Sequence, residues 1–325
     1  MADAYRYQDE ECRVDYTADA AMLAGEVFQL PDGRAAVMPV DLASGSLGGA
    51  ETEGLWKVTK NTSVVFLPGG RVYWDHSANE ATYKKVNDRD FYLGRVVADA
   101  ASTDTTVKVA LNIDPPYDID LVSRDAALSV ATGTAAAGGF GLPVRYGSSI
   151  GLSLTATNEA QCVDLLSVDR FALGSNWIAE FEVRLGANGS TSAVDITVGV
   201  ANATSTTDAD AIAESAFFHI DGGALDIFAE SDDGTTEVAA TDTTVDITAG
   251  SAVANRFYFW LDGRDPSNVK YYINGAEVLS ATANLGNIAV ATGPLGLLAH
   301  VEKTSGTATA GPLYIDRACV RLAQQ

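Results

Sequence analysis

The chain has 325 residues, more than one compact β domain usually needs, so two domains are expected. Its 43 acidic and 21 basic residues give a formal net charge of -22, which argues against nucleic-acid binding because that affinity depends on phosphate neutralisation by basic residues. With 47% hydrophobic and 20% charged residues, the chain is too apolar to be disordered throughout.

The N-terminal segment, MADAYRYQDEEC, is polar and acidic where a secretory signal would be basic and then apolar. No stretch approaches the roughly 20 continuous apolar residues of a membrane helix. We therefore expect a soluble protein made in the cytoplasm, with no membrane partner. Residues 1–13 are expected to form an arm, and two interpretations of Tyr5, Arg6 and Tyr7 stay open: contact with a neighbouring protein, or an unordered tail.

Period-two alternation dominates the rest of the chain, whereas helical three-and-four spacing is almost absent. Four turns supply a residue that tolerates positive φ: Pro31-Asp32-Gly33, Pro68-Gly69-Gly70, Asp232-Asp233-Gly234 and Asn274-Gly275. The sequence therefore predicts an all-β fold. The clearest predicted strands are 63–67, 71–74, 106–111, 178–185, 195–200, 256–261 and 269–273.

A change in amino-acid composition between about Asn112 and Gly141 indicates a domain boundary. The segment begins with Pro115-Pro116, which cannot donate ladder hydrogen bonds, and ends in an Ala/Gly-rich run. The sequence predicts a first domain at 14–112, a linker at 113–139 and a second domain at 140–325. Up to Asn112 there are 11 basic and 17 acidic residues, against 10 and 26 beyond it, so the second domain carries most of the negative charge.

Metal, cofactor and disulfide chemistry is not expected. Cys12, Cys162 and Cys319 form no CxxC pair and have no His at zinc-ligand spacing. We expect three reduced cysteines, with Cys162 and Cys319 as small core residues. Calcium is an alternative for the acidic residues of the second domain, but none follows the spacing of a twelve-residue calcium loop, so we interpret them as solvated loops. These residues are Asp208, Asp210, Asp232, Asp233 and Asp242.

In the first domain, several short motifs occur in a characteristic order. Ala24-Gly25-Glu26 precedes an apolar strand, GRVYWD spans residues 70–75, and GRVV at 94–97 leads to DTTVKV at 104–109. Together they resemble the small β-barrel-like domain of tailed-phage capsid decoration, or cement, proteins. Val107 and Val109 are expected to face inward and Lys108 outward. The adjacent Asp75 and His76 are interpreted as the opening of a turn rather than a catalytic pair, because no Ser or Cys nucleophile lies in a recognisable elbow nearby.

The second domain carries the phrase FYFWLDGRDPSNVKYYINGAEV at 257–278 and the closing strand LYIDRACVRL at 313–322. Both are similar to the hairpin and last strand of concanavalin-A-like jelly rolls, the laminin-G and lectin-like β-sandwiches. In such a module, aromatic rings stack on sugars and polar side chains bind hydroxyls. The candidate glycan-binding residues are Trp260, Asp262, Tyr272 and Asn274.

Glycan-cleaving members of this superfamily carry an E-x-D-x-x-E run, which this sequence lacks. The nearest candidate is Glu180-Phe181-Glu182, whose alternation is also typical of any half-solvated strand. We therefore expect no catalytic residues and no enzymatic activity.

Taken together, the two resemblances imply a phage head decoration protein. Such a protein binds the major capsid protein on the outer surface of the icosahedral capsid, as a homotrimer at threefold positions, and stabilises the mature shell. Tyr5, Arg6 and Tyr7 are then the candidate capsid contacts. The alternative is a carbohydrate-binding virion module that adheres to glycans, and a glycan hydrolase is a weaker alternative.

Overall fold

A computed structural model of the chain describes residues 13–122, 129–135, 141–186, 194–248, 255–280, 285–305 and 313–322. Its regular structure is almost entirely strand, so the all-β prediction is confirmed. Within these ranges, no helix has the length and apolar character needed to cross a lipid bilayer. The chain forms two compact units, which meet in sequence between Pro116 and Tyr117.

The first unit contains two antiparallel sheets. One has four strands in the order β1-β4-β3-β2, and the other has five in the order β5-β9-β8-β6-β7. The strands are β1 Arg13–Thr17, β2 Val27–Gln29, β3 Ala35–Val37, β4 Leu47–Glu51, β5 Leu55–Thr59, β6 Arg71–Asp75, β7 Glu80–Thr82, β8 Phe91–Val96 and β9 Thr106–Leu111.

One apolar cluster joins residues of both sheets. Trp74 and the inward residues Val107 and Val109 belong to it, together with Val37 from the smaller sheet, while Lys108 is exposed as predicted. The two sheets are also joined through Asn112. Its side-chain amide donates to the carbonyls of Ala35 at 2.9 Å and Thr52 at 2.7 Å, and its oxygen accepts from the Ala35 N–H.

Gly94 in β8 shows why a glycine is needed in this motif. Its φ is 153°, and a Cβ placed there would lie 2.1 Å from the carbonyl oxygen of Ala110 on the neighbouring strand β9. No side chain fits so close to backbone, so any other residue would force β8 and β9 apart.

The predicted strand at 63–67 is wrong. This segment forms only an isolated bridge, Phe66 to Ala100, between turns at Asn61–Val64 and Leu67–Gly70. Pro68, which has no N–H to donate, follows directly, and the apolar side chains of Val64 and Phe66 are buried without a ladder. The apolar character of residues 63–67 is therefore explained by the burial of their side chains and not by pairing with a neighbouring strand.

The second unit is built from two larger sheets. Eight strands form one sheet, in the order β12-β13-β24-β15-β20-β21-β22 with β10 also paired to β24, and seven form the other, in the order β11-β14-β23-β16-β17-β18-β19. The strands are β10 Ile119–Asp120, β11 Ser129–Ala135, β12 Gly141–Tyr146, β13 Ser149–Ser153, β14 Gln161–Ser167, β15 Trp177–Leu185, β16 Val194–Ala201, β17 Glu214–Asp221, β18 Asp226–Asp233, β19 Glu237–Asp246, β20 Arg256–Gly263, β21 Lys270–Ile273, β22 Ala276–Val278, β23 Gly296–Lys303 and β24 Leu313–Leu322.

The two sheets enclose a single apolar core, which makes the second unit a β-sandwich. Alternate side chains of the long central strands enter that core, for example Phe257, Phe259 and Leu261 of β20. Phe218 from the seven-stranded sheet stacks on Phe259 from the eight-stranded sheet, with ring centroids 4.4 Å apart. Tyr271 meets Phe218 edge-on at 5.3 Å, so three aromatic rings connect the sheets at this point.

The structure differs from the linker prediction at 113–139. Two segments within that range are strands of the sandwich: β10 pairs with β24, and β11 pairs with β14 over seven residues. The small residues of β11, SVATGTA, are enough for pairing because backbone N–H and C=O groups form the ladder whatever the side chain. The change in composition at 113–139 therefore does not mark a linker throughout, because two strands of the sandwich lie within it.

The predicted turn chemistry is present in the structure. Asn274 and Gly275 both have positive φ, 52° and 82°, as a two-residue hairpin between β21 and β22 requires. Gly33, Gly69 and Gly234 have positive φ as well. Cys162 and Cys319 are buried and form no disulfide, which confirms the prediction for these two, while Cys12 lies outside the described residues.

Because Phe218 connects the two sheets, its truncation should be costly. We expect Phe218→Ala to lower the free energy of unfolding of the second unit by about 3–5 kcal/mol, since a buried aromatic ring is replaced by a cavity. Denaturant titration followed by tryptophan fluorescence measures this change. Val290→Ala, at an exposed position, is the control and should change the value by no more than about 0.5 kcal/mol. Equal effects of the two substitutions would contradict the proposed sheet-to-sheet contact.

Candidate functional site

The side chains of the second unit that point away from its core form two outer faces, one on each sheet. On the eight-stranded sheet, Tyr258, Trp260 and Asp262 of β20 alternate with the core residues and lie on this outer face. Glu180 and Glu182 occupy the same face of the neighbouring strand β15. Both faces carry polar and charged side chains on the scaffold of the sandwich, so the candidate sites lie on them.

The four predicted glycan-binding residues do not meet in one open site. Trp260 and Tyr272 are cross-strand partners with ring centroids 6.2 Å apart, but both are buried. Asn274 lies in the hairpin turn, where its side-chain oxygen accepts from the N–H of Tyr258. Asp262 is held by Arg264, whose guanidinium donates to both of its carboxylate oxygens. Asp262 borders an accessible pocket. Trp260 and Tyr272 are buried, so neither ring has an open face for stacking.

That pocket lies at the edge of the outer face, beside the loop from β20 to β21. Its volume is about 280 Å³, and it is lined by Asp262, Arg264, Asp265, Asn268 and Lys270. Carboxylate, guanidinium, amide and ammonium groups are all present, so the pocket offers donors and acceptors but no aromatic platform. It suits a small hydroxylated or charged ligand.

Glu180 and Glu182 are both held by arginines. Glu180 forms an ion pair with Arg321 at 2.5 Å and accepts a hydrogen bond from the hydroxyl of Tyr117. Glu182 is paired with Arg256 and lies 3.6 Å from Arg317. Both carboxylates are therefore engaged in ion pairs within the outer face.

The outer face of the seven-stranded sheet contains a buried charged triad that the sequence analysis missed. His300 of β23 lies between Asp164 of β14 and Glu302, with Nδ1 2.8 Å from the Asp164 carboxylate and Nε2 2.8 Å from that of Glu302. Burial opposes the imidazolium, but the hydrogen bonds to the two carboxylates raise the pKa of His300 to about 9. The available signal was a His-x-Glu pair at period two inside an apolar strand.

A second histidine on the same face has a different environment. His219 of β17 is surrounded by Asp195 of β16, Glu230 of β18 and Asp210, the last in the loop between β16 and β17. Burial disfavours its charged form, yet the surrounding carboxylates raise the pKa of His219 to about 11. Burial also raises the pKa of Glu230, to about 7. The sequence predicts a solvated loop at Asp210 and assigns no role to His219.

In the first unit, the candidate capsid contacts Tyr5, Arg6 and Tyr7 lie outside the described residues. Asp75 opens a turn as predicted, because its carboxylate accepts from the N–H groups of Ser77 and Ala78 and from the Ser77 hydroxyl. Exposed apolar side chains are concentrated in this unit. Of the nine large hydrophobic residues exposed among the described residues, seven belong to it: Leu23, Val40, Leu47, Leu55, Val86, Val97 and Ile113.

Comparison with known proteins separates the two units. Residues 7–111 match the family model described as phage cement protein, which confirms the resemblance inferred for the first domain. The match lies entirely within the first unit. The full sequence matches none of the curated proteins.

Solved structures similar to this chain include lectin-like and glucanase domains. The carbohydrate recognition domain of Emp47p is 10% identical, covering 63% of this chain and 94% of that chain with a TM-score of 0.44. The potassium-bound carbohydrate recognition domain of Emp46p is 8% identical, covering 63% and 93% with a TM-score of 0.42. A glycoside hydrolase family 16 endo-glucanase from Bacteroides ovatus is 10% identical, covering 59% and 94% with a TM-score of 0.38. No functional residue of this chain is assigned from these likenesses.

The raised pKa of His300 predicts how stability depends on pH. The folded value of about 9 exceeds the unfolded value of 6.5, so its stabilising contribution is complete below pH 6.5 and is lost as pH rises through 9. The contribution is on the order of 3 kcal/mol. Denaturant titrations between pH 6 and 10 should show stability falling more steeply for the natural chain than for His300→Gln.

The matched control for this experiment is His76→Gln in the first unit. Its stability profile with pH should be parallel to that of the natural chain. An unchanged slope in the His300→Gln variant would show that the imidazole titrates alike in the folded and unfolded states.

Proposed function

We propose that the chain is a capsid decoration, or cement, protein of a tailed phage. It binds the major capsid protein on the outer surface of the icosahedral head and is carried in the virion. The observation that supports this proposal most directly is the match of residues 7–111 to the phage cement protein family. Its role is mechanical, so we propose no enzymatic activity.

The proposed assembly is a homotrimer at the threefold positions of the shell. Three identical contacts from one closed ring turn a modest single-site affinity into strong attachment that requires the correct lattice geometry. Binding to the assembled shell but not to dissociated subunits stabilises the mature head by mass action. The net charge of -22 also disfavours adhesion of the protein to the packaged genome.

Within this proposal, the first unit docks and the second extends outward. The concentration of exposed apolar side chains in the first unit supports this assignment, because contact surfaces bury such residues. The arm expected at residues 1–13, with Tyr5, Arg6 and Tyr7, is proposed to lie on a neighbouring capsid subunit, although Arg13 itself belongs to β1 and pairs with Glu51. A chain that lacks residues 1–12 should fold normally but occupy fewer sites on the head.

Capsid binding through the first unit predicts a selective effect of surface charge. We expect Leu55→Asp to reduce occupancy on purified heads at least tenfold. Leu55 is 74% exposed, and the substitution replaces its apolar side chain by a carboxylate in the proposed contact surface. Co-sedimentation with mature heads that lack the decoration protein measures the occupancy, and sedimentation equilibrium of the free protein should give a mass near three chains.

The control is Val290→Asp, at a 57% exposed position of the second unit, which should leave occupancy unchanged. Failure of the natural chain to sediment with heads, together with a monomeric mass, would overturn the decoration proposal. A loss of occupancy in Val290→Asp equal to that in Leu55→Asp would instead place the docking surface in the second unit.

Glycan binding by the second unit is a second candidate function, favoured by the polar pocket at Asp262. We expect Asp262→Asn to weaken any glycan affinity found on an array at least tenfold, because the carboxylate would accept hydrogen bonds from sugar hydroxyls. Asp242→Asn, on the other sheet, is the control. An array on which the natural chain binds no glycan would reject this candidate and leave the capsid role untouched.

A further inference from the structure

The environment of His219 contrasts with that of His300 on the same outer face. Both ring nitrogens of His300 make 2.8 Å contacts with carboxylates. Both ring nitrogens of His219 are buried without a hydrogen-bond partner, although three carboxylates surround the ring. A charged imidazole free to close on its neighbours would adopt the short contacts that His300 has, so the wider spacing around His219 needs another explanation.

The separations around His219 are close to the spacing of ligands around one ion. Nδ1 of His219 lies 3.4 Å from Oε1 of Glu230 and 3.8 Å from Oδ1 of Asp210, and the three ligand atoms all lie within 4.8 Å of one another. Metal bonds of about 2.0–2.2 Å to nitrogen and oxygen place two ligand atoms of one ion roughly 3.0–3.6 Å apart. Small adjustments of the exposed Asp210 side chain would complete such a site.

Glu230 supplies an independent indication that something charged belongs there. Its side chain is 7% exposed, and its Oε1, which is aimed at His219, has no hydrogen-bond partner. A buried carboxylate oxygen without a partner is costly unless a cation or donor satisfies it. The neighbouring strand contributes Asp195, whose carboxylate lies 3.9 Å from Nε2 on the far side of the ring. Carboxylates in that position orient metal-binding histidines.

We infer that Asp210, His219 and Glu230 form a site for a divalent transition-metal ion. One imidazole nitrogen with two carboxylates favours Zn²⁺ or Mn²⁺ over Ca²⁺ and Mg²⁺, which prefer ligand sets made of oxygen alone. A cavity of about 10 Å³ is bordered by two of the ligands, Asp210 and Glu230, and by Ser215, and it has room for about one water at an open coordination position. The ion would fasten the loop carrying Asp210 to strands β17 and β18.

The sequence predicts no metal site, because the three ligands follow neither the spacing of a twelve-residue calcium loop nor that of zinc ligands. Asp210 lies nine residues before His219, and Glu230 comes eleven residues after it, on the next strand. The ladder between β17 and β18 pairs Phe217 with Glu230, which brings Glu230 diagonally beside His219 on the same face. Only the strand register makes a cluster of these three residues.

The test is titration of the full chain, freed of metal by chelation, with Zn²⁺ and Mn²⁺ by calorimetry. We expect one equivalent of Zn²⁺ per chain, bound at least tenfold more tightly than Ca²⁺ or Mg²⁺. His219→Gln and Asp210→Asn should each weaken Zn²⁺ binding at least tenfold. Asp210 is 41% exposed at its side chain, so its substitution will not unfold the sheet.

The matched controls are His76→Gln and Asp15→Asn, which remove one histidine and one exposed carboxylate from the first unit. Both should bind Zn²⁺ like the natural chain, which separates the site from general attraction of cations to an acidic protein. The absence of a one-equivalent Zn²⁺ site in the natural chain would overturn the inference, as would unchanged affinity in His219→Gln. Tighter binding of Ca²⁺ than of Zn²⁺ would overturn the choice of ion.

Discussion

The second unit depends on the pairing of two antiparallel sheets around one apolar core. Phe218 and Phe259 meet across this core, and alternate residues of the central strands, such as Phe257 and Leu261 of β20, extend it. Because side chains alternate, the same strands must present their other residues on the outer faces. The chemistry of those faces is therefore positioned by the core, and it can vary without disturbing the fold.

The outer faces are unusually charged for surfaces so little exposed. On one sheet, arginines are paired with Glu180 and Glu182, and on the other His300 lies between two carboxylates and contacts both. Buried charges persist only when paired, since an unpaired charge in a low-dielectric environment is expensive. His219 and Glu230 depart from this pattern. Carboxylates surround the His219 ring, yet neither ring nitrogen nor Oε1 of Glu230 has a hydrogen-bond partner. Such a departure in an otherwise well-satisfied face is what distinguishes a binding site from a structural ion pair.

The functional proposal rests on the first unit, while most of the described polar chemistry lies in the second. In the proposed function, the first unit supplies the contact surface on two sheets that share one apolar core. The second unit, in the same proposal, can bind small ligands or ions without altering attachment. The first unit is similar to phage cement proteins, and the second is a charged β-sandwich. Both can occur in one chain because the two units fold around separate cores.

The sequence by itself located several of the strands and turns, because these depend on local signals. Alternation located β9 at Thr106–Leu111, and Asn274-Gly275 located a hairpin, since positive φ is a property of the residues themselves. Tertiary structure alone decided which apolar runs pair and which side chains meet. Residues 63–67 are buried without a ladder, Trp260 and Tyr272 are buried rather than open to a sugar, and Asp210, His219 and Glu230 converge. Strand register and the packing of one element on another set those outcomes, and neither is written in the spacing of residues along one strand.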